Sequence, residues 1–367
     1  MANRYSSTGP TPEAYAGDRF QILSLDGGGA KALFTASVLA RFEEDHGVRV
    51  VDRFDLIAGT SAGGIVALCL GAGLPPAEIA DRYLELITKV FPRSRRRKWR
   101  PSRLVRPSYS GNALREALVE VFGDRLLGES SKRLLVPSWN VQSGEVHLFK
   151  TPHSERLVRD RNVKMVDVAL ATSAAPTYFP AATADSSQLI DGGVFANNPS
   201  VFAISEAKSM LGVPLESIRV LSIGTMVPFT DHSDRLDNAG IGRWATAAVN
   251  TILTASSHSN NGLAQHLIGF DNFVRLNATV PQSLFALDRI DAAKVAGYAA
   301  TVSRNLSPEY VAKFIDHTAP TPRTVLCAAR RSGRRGSVRS RRRSSRATPS
   351  TICATTTRAC SSATAHP

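Results

Sequence analysis

Residues 20–32 read Phe20-Gln21-Ile22-Leu23-Ser24-Leu25-Asp26-Gly27-Gly28-Gly29-Ala30-Lys31-Ala32. The first six alternate into a short strand predicted to be buried, and the three glycines after Asp26 predict a turn. Leu33, Val38, Leu39 and Phe42 then recur at helical spacing, which predicts a helix from Ala32 to about His46. The same order returns at once. Phe54 to Ala58 predicts a second strand, Gly59 to Gly64 a tight turn, and Ile65 to Ala72 a second helix. Two strand, glycine-turn, helix units in succession argue for an α/β fold with a mainly parallel sheet covered on both faces.

Working outward, Pro75-Pro76 breaks the second helix, and Ala77 to Val90 restarts as an amphipathic one. A helix follows near Ala113 to Phe122. Leu134 to Val141 and Glu145 to Lys150 read as a hairpin around Gln142-Ser143-Gly144. Met165 to Ser173 predicts a helix, Gln188 to Ile190 a short strand ending at Asp191, and Pro199 to Met210 a helix. Ile218 to Ile223 predicts a strand, and mostly helical patterns run on to about His317. Residues 1–19, rich in Ser, Thr, Pro and Gly, predict a flexible leader, and residues 20–323 form the α/β domain. Residues 324–367 hold no aromatic or acidic residue and predict a disordered tail, of the kind an out-of-frame terminus gives or a basic tail for anionic surfaces.

The chain has 367 residues, 43% hydrophobic and 21% charged, enough apolar residues for a large core. Its longest apolar run, Ile65 to Leu74, is far shorter than the roughly 18 residues a membrane span needs. The first twenty residues carry no secretory pattern. The net charge of +14 is local in origin. Ten arginines lie in 324–367, and Arg93 to Arg106 adds eight basic residues without an acid, so the remainder is slightly acidic. No nucleic-acid partner follows from such a distribution. Arg93 to Arg100, with Trp99 among the basic residues, predicts an exposed loop suited to an anionic membrane surface. Cys69, in an apolar run, predicts a core residue. The four cysteines show neither a disulfide framework nor metal-ligand spacing, so a reducing, cytoplasmic compartment is expected.

Gly59-Thr60-Ser61-Ala62-Gly63 is a G-x-S-x-G pentapeptide between strand and helix, the context of a nucleophile elbow. A sharp turn there projects the Ser61 hydroxyl at a helix N-terminus, where negative charge is favoured. The consecutive glycines Gly27, Gly28 and Gly29 let backbone N–H groups converge on an anion. Alone they also allow a dinucleotide-binding loop, with Glu43 to Asp45 near the ribose distance. Beside a serine elbow, an oxyanion hole is the better reading. Lys31 either supports this loop or attracts phosphate. Asp191-Gly192-Gly193, at a strand end, places a carboxylate where a reacting group can approach it closely.

In order and spacing, the three segments resemble the patatin-like phospholipase family. Ala171 to Pro180, Asn197-Asn198-Pro199 and Ser222 to Thr225 resemble it as well. The resemblance spans about residues 20–320 and implies a three-layer α/β/α fold and a Ser–Asp dyad. Ser61 is the implied nucleophile and Asp191 the proton acceptor. Gly27, Gly28 and Gly29 are the implied oxyanion hole, with Lys31, Ala32, Gly59, Ala62, Gly63, Gly192 and Gly193 as supporting motif positions. The family's usual arginine is here Lys31, and the last glycine of its loop is Ala32. No cofactor and no metal are implied. Ile22 to Gly29 and Phe34-Thr35-Ala36 most resemble bacterial antiphage phospholipase effectors. That likeness implies a cyclic dinucleotide activator and action on phospholipid at the inner face of the cell membrane. A constitutive lipase or lysophospholipase, and a nucleotide-binding protein without hydrolysis, stay open beside it. So does a Ser–Asp–His triad drawing on His232, His258, His266 or His317.

Overall fold

The structure, a computed structural model, describes residues 15–91, 107–228, 240–281 and 291–322. The Arg-rich segment, His232, the first 14 residues and the tail from 324 lie outside the described residues. In chain order the elements are β1 (Phe20–Leu25), α1 (Ala32–His46), β2 (Leu56–Gly59), α2 (Ser61–Gly71), α3 (Pro76–Val90) and α4 (Gly111–Phe122). Next come β3 (Arg133–Asn140), β4 (Glu145–Lys150), α5 (Met165–Ser173), β5 (Ala182–Ala184), β6 (Ser187–Asp191), α6 (Gly193–Ala196) and α7 (Ser200–Leu211). The last are β7 (Ile218–Ile223), β8 (Val227–Pro228), α8 (Ile241–Ile268), β9 (Phe273–Leu276), β10 (Thr279–Val280) and α9 (Ala292–Phe314). Among the described residues no helix is long and apolar enough to cross a membrane.

β1 sits at the centre of the main sheet, parallel to β2 on one side and to β7 on the other. β9 continues the sheet beyond β7 and β3 beyond β2, both parallel. β4 and β6 add to β3 antiparallel, and β5 follows β6. Alternation along β1 explains the layers. Phe20 and Ile22 enter one core with Ala203 and Ile204 of α7 and Ala264 and Ile268 of α8. Leu23 and Leu25 enter the opposite core with α1, α2, α3, α5 and α9. Successive strand residues face opposite ways, so a strand that is buried along its whole length requires helices on both faces. Each fully buried Leu or Ile contributes about 1.5–3 kcal/mol, and β1 is buried from end to end. Tyr15, within the stretch read as a leader, already packs edge-on against Phe20.

Two expectations change. The second helix was expected at Ile65, but α2 begins at Ser61, because the glycine turn is itself the first helical turn. The region to His317, read as helical, also holds β9, the last strand of the sheet. Four residues between two long helices carry too little pattern to be read as a strand.

The arrangement around β3 decides what the fold can do. The Leu134 carbonyl bonds the chain leading from β4, whereas the Val141 N–H bonds Gln188 beside β6. Even-numbered residues of β3 therefore face β4 and odd-numbered ones face the other edge. β2 pairs that other edge as far as Leu135, and β6 pairs it from Ser138 onward. β2 runs parallel to β3 and β6 antiparallel, so their C-terminal ends meet head-on. The gap between them falls at Pro137, which has no N–H to leave unpaired. Both chains must turn out of the sheet there, β2 into α2 and β6 into α6. Gly192 makes its turn against the Pro137 peptide, where a Cβ would lie 2.4 Å from the carbonyl oxygen. Gly192→Ala is thus expected to lower the thermal denaturation midpoint by the equivalent of about 1–3 kcal/mol or more. Gly144→Ala, in an open turn at φ +66°, should cost about 1 kcal/mol or less, and equal losses for the two would contradict this packing.

Candidate active site

The head-on meeting brings Ser61 and Asp191 together. The Ser61 hydroxyl donates to Asp191 Oδ2 at 2.6 Å, and the other carboxylate oxygen accepts the Gly193 N–H at 2.7 Å. Ser61 has φ +55°, a left-handed conformation rare for a residue with a side chain. The turn that holds it needs its glycines. A Cβ on Gly59 would lie 2.3 Å from the Gly63 carbonyl oxygen, and one on Gly63 would lie 2.5 Å from the carbonyl oxygens of Leu25 and Asp26. The Ser61 N–H donates to Thr172 Oγ1 at 2.9 Å, and that hydroxyl donates to the Pro137 carbonyl at 2.7 Å. Thr172 therefore bridges the gap in the sheet and fixes the strained serine.

Burial raises the proton affinity of Asp191. Its carboxyl is pushed up to about 6, opposed by the hydrogen bonds from Ser61 and Gly193. A carboxylate of that strength, bonded to a serine hydroxyl at the start of a helix, is equipped to accept the serine proton.

The glycine-rich loop lies on the other side of Ser61. Gly28 and Gly29 line the same cavity as Ser61, Ala62 and Asp191. Gly27 does not, and this corrects its assignment to the oxyanion hole. Its N–H is already donated to the Asn197 carbonyl at 3.0 Å, and its own carbonyl accepts from Thr225 Oγ1 at 2.9 Å. Ala32 is buried at the start of α1. Lys31 is buried as well, and burial pulls its ammonium down to about 7 against the opposing pull of Asp26. It lines a second cavity behind the loop, away from the serine. Glu43, the ribose-binding candidate, instead holds the Val50 N–H near the far end of α1.

The cavity over Ser61 is apolar, walled by Leu86, Val90 and Phe91 around the end of α3, Leu114 of α4, and Phe179. Its volume is about 50 Å³, well below the roughly 300–1,000 Å³ of ordinary ligand pockets. Phe91, Tyr109 and Phe179 pack on one another at its rim, with centroids 4.9–6.0 Å apart. Nearby Thr177 holds φ +72° in a turn bonded to Ser108. None of His258, His266 and His317 lines this cavity. His317 instead bonds Asp55 at 2.7 Å, His266 packs against Phe270, and His258 faces the second cavity. Cys69 sits in the core, its thiol pushed up to about 12 by burial.

Comparison with known proteins places this geometry. Residues 23–204 match the family described as patatin-like phospholipase. A "cGAMP-activated phospholipase" of Pseudomonas aeruginosa is 36% identical over 282 residues, covering 74% of this chain and 83% of that protein. The chain belongs to the patatin-like phospholipase family. A protein of the same description from Vibrio cholerae is 32% identical over 343 residues, covering 83% of this chain and 95% of its own. Among solved structures, VipD from Legionella pneumophila aligns over 80% of this chain and 67% of its own, at 14% identity and a TM-score of 0.42. The enzyme is accordingly a patatin-like phospholipase hydrolase.

Within this patatin-like site, sequence reasoning missed the roles of Thr172, Thr225 and Arg275. The first two lie in segments already noted for family likeness, yet nothing local marks a threonine as the acceptor for a strained N–H. Arg275 grips Asp26 through two bonds of 2.8 and 2.6 Å, while Asn198 and Ser257 donate to the same carboxylate. This cluster anchors the start of the glycine loop.

A buried carboxylate with a raised pKa destabilises the fold when ionised. The folded state holds the Asp191 proton up to about pH 6, whereas the unfolded chain releases it near 3.8. Its contribution therefore falls as pH rises through that window. Asp191→Asn is expected to raise stability at pH 7 by on the order of 2–3 kcal/mol. It should also cut ester hydrolysis by about 10²–10⁴-fold. Thermal denaturation at pH 4.5 and pH 7 tests the first effect, because the gain should shrink at the lower pH.

Proposed function

We propose that the protein hydrolyses fatty-acyl esters of membrane phospholipids with Ser61 as nucleophile and Asp191 as its proton acceptor, and that a cyclic dinucleotide switches the activity on. The observation that carries the chemistry is the 2.6 Å hydrogen bond between the strained serine and the buried carboxylate, opening into an apolar cavity. In the first step Asp191 Oδ2 takes the Ser61 proton as Oγ attacks the ester carbonyl. The oxyanion forms beside the backbone N–H groups of Gly28, Gly29 and Ala62, the last at the head of α2. Loss of one such donor costs about 2.7–4 kcal/mol of barrier. Asp191 then returns the proton to the departing lysophospholipid alcohol, leaving acyl-Ser61. Water, deprotonated by the same carboxylate, attacks the acyl carbonyl, releases the fatty acid and restores the serine. The Leu86, Val90 and Leu114 wall suits an acyl chain, which has no polar group to satisfy.

Two observations support control by a ligand. Two relatives that cover 74% and 83% of the chain are named as cGAMP-activated. The cavity over Ser61 measures only about 50 Å³, and the Phe91 and Phe179 rings that line it pack against each other. The likeness noted in the sequence makes the setting antiphage defence at the inner face of the cell membrane.

The test is fatty-acid release from phospholipid vesicles, with and without a panel of cyclic dinucleotides. Release is expected with one nucleotide only and is expected to vanish in Ser61→Ala. Equal release without nucleotide would remove the switch and leave a constitutive lipase. Activity retained in Ser61→Ala would remove the nucleophile. The pH profile of kcat/KM is expected to fall below an apparent pKa of about 6, as Asp191 becomes protonated. A profile flat from pH 5 to 7 would exclude it as the base.

A further inference from the structure

The longest helix, α8, lies in an uncharged stretch. From Trp244 to Phe270 the chain holds no Asp, Glu, Lys or Arg, although its overall charged content of 21% would place about six there. Full burial would account for this, but α8 is covered on one side only. Ser257, Asn260, Ala264 and Ile268 are buried and form its inner face. Thr251, Ala255, Ser259 and His266 lie on the opposite side, and all four are exposed. Trp244, Ile252, Leu263 and Leu267, with Phe270 just beyond the helix, are 42–63% exposed. A surface helix ordinarily turns charged residues to solvent, so an uncharged and partly apolar outer face marks a contact surface.

The direction of α8 decides what fits. Near its middle Ser257 donates to Asp26, just past the C-terminal end of β1. Beyond its end the chain enters β9 at Phe273, opposite Val220 near the start of β7. The helix therefore runs antiparallel to the strands, from the sheet edge that carries Ser61 to the opposite edge. A lipid surface laid along the outer face would touch Leu263, Leu267 and Phe270, at the edge remote from the serine. A foreign protein is commonly selected by complementary charge, which this face lacks. A second copy has the opposite need, because a face that packs on itself sets like charges together unless it has none.

We propose that two copies of the chain pair through this face, their α8 helices antiparallel across a two-fold axis at Ala255, midway along the helix. Thr251, Ala255 and Ser259 are small enough at the centre for the helix axes to approach to about 8 Å. In this register Thr251 meets the partner's Ser259, and Trp244 falls beside the partner's Leu263 and Leu267. The flanks select this orientation. At 3.6 residues per turn, Ile252, Leu263 and Leu267 lie on one flank, and Asn250, Thr254 and His258 on the other. An antiparallel two-fold joins the apolar flanks of both copies, whereas a parallel one sets each apolar flank against a polar one. The face is about 42 Å long and about 12 Å across, so pairing buries about 1,000 Å² in all, which reaches what a specific association needs.

The experiment is sedimentation velocity of the full chain at concentrations up to about 100 µM. The parent protein is expected to sediment as a dimer. Ala255→Arg sets two cations against each other at the axis and is expected to weaken association at least tenfold, with an unchanged melting temperature because the position is exposed. Val119→Arg, at an exposed apolar position on α4, is the control and should remain a dimer. Thr251→Arg should also give monomer. Adding Ser259→Asp to it should restore the dimer, since the new cation then faces the partner's new carboxylate. A parent that stays monomeric, or a dimer that Ala255→Arg leaves intact, overturns the inference. Equal loss in Val119→Arg places the interface elsewhere and overturns it too. A double variant that remains monomeric overturns the antiparallel register. A monomeric parent that floats with phosphatidylethanolamine vesicles, and loses them in Ala255→Arg, makes the face a lipid surface instead and overturns the pairing.

Discussion

The site depends on an interruption in a sheet. Along one edge of β3, β2 arrives from one direction and β6 from the other, and neither continues past Pro137. Continuous pairing would have placed Ser61 and Asp191 on separate, well-hydrogen-bonded strands. Because the strands stop short of each other, both chains turn outward at the same point and deliver a hydroxyl and a carboxylate 2.6 Å apart. The interruption leaves polar groups that must be satisfied in a buried place. Thr172 does this by accepting from the Ser61 N–H and donating to the Pro137 carbonyl. Proline on β3, glycine at 192 and threonine on α5 thus answer one geometric demand.

A second constraint fixes the opposite wall. The glycine loop has no side chains of its own to hold it, so its conformation is imposed from outside. Asp26 at its start is buried and accepts four donors, from Arg275, Asn198 and Ser257. Gly27 is held from both ends of its peptide, by Asn197 and by Thr225. A partly buried Arg–Asp pair is costly to desolvate, and here it secures the position of the loop. Here it ties β9, the strand that sequence patterns did not reveal, to the loop next to the serine.

Much of the architecture was legible because it depends on short-range rules. Alternation in β1, glycines after strands and periodicity in α1 gave the layered α/β arrangement, and the G-x-S-x-G and Asp-Gly-Gly segments nominated Ser61 and Asp191. The rest depends on distant partners. That Gly27 spends its N–H on Asn197 cannot be read from three equivalent glycines. The start of α2 at Ser61 follows from left-handed strain that Thr172 stabilises from 111 residues away. β9 becomes a strand only because β7 offers it an edge. Lys31, legible as a motif position, proves to line the second cavity rather than the one over Ser61.

The same features that equip the site also weaken the fold around it. An ionisable aspartate with no counter-cation at its carboxylate among the described residues, a serine at positive φ and a buried lysine beside the glycine loop each oppose folding at neutral pH. They persist because apolar cores on both faces of the sheet outweigh them. Their placement is not scattered. Asp191 and Ser61 face the apolar cavity, Lys31 and the strained Met226 face the polar one, and Gly28 stands between.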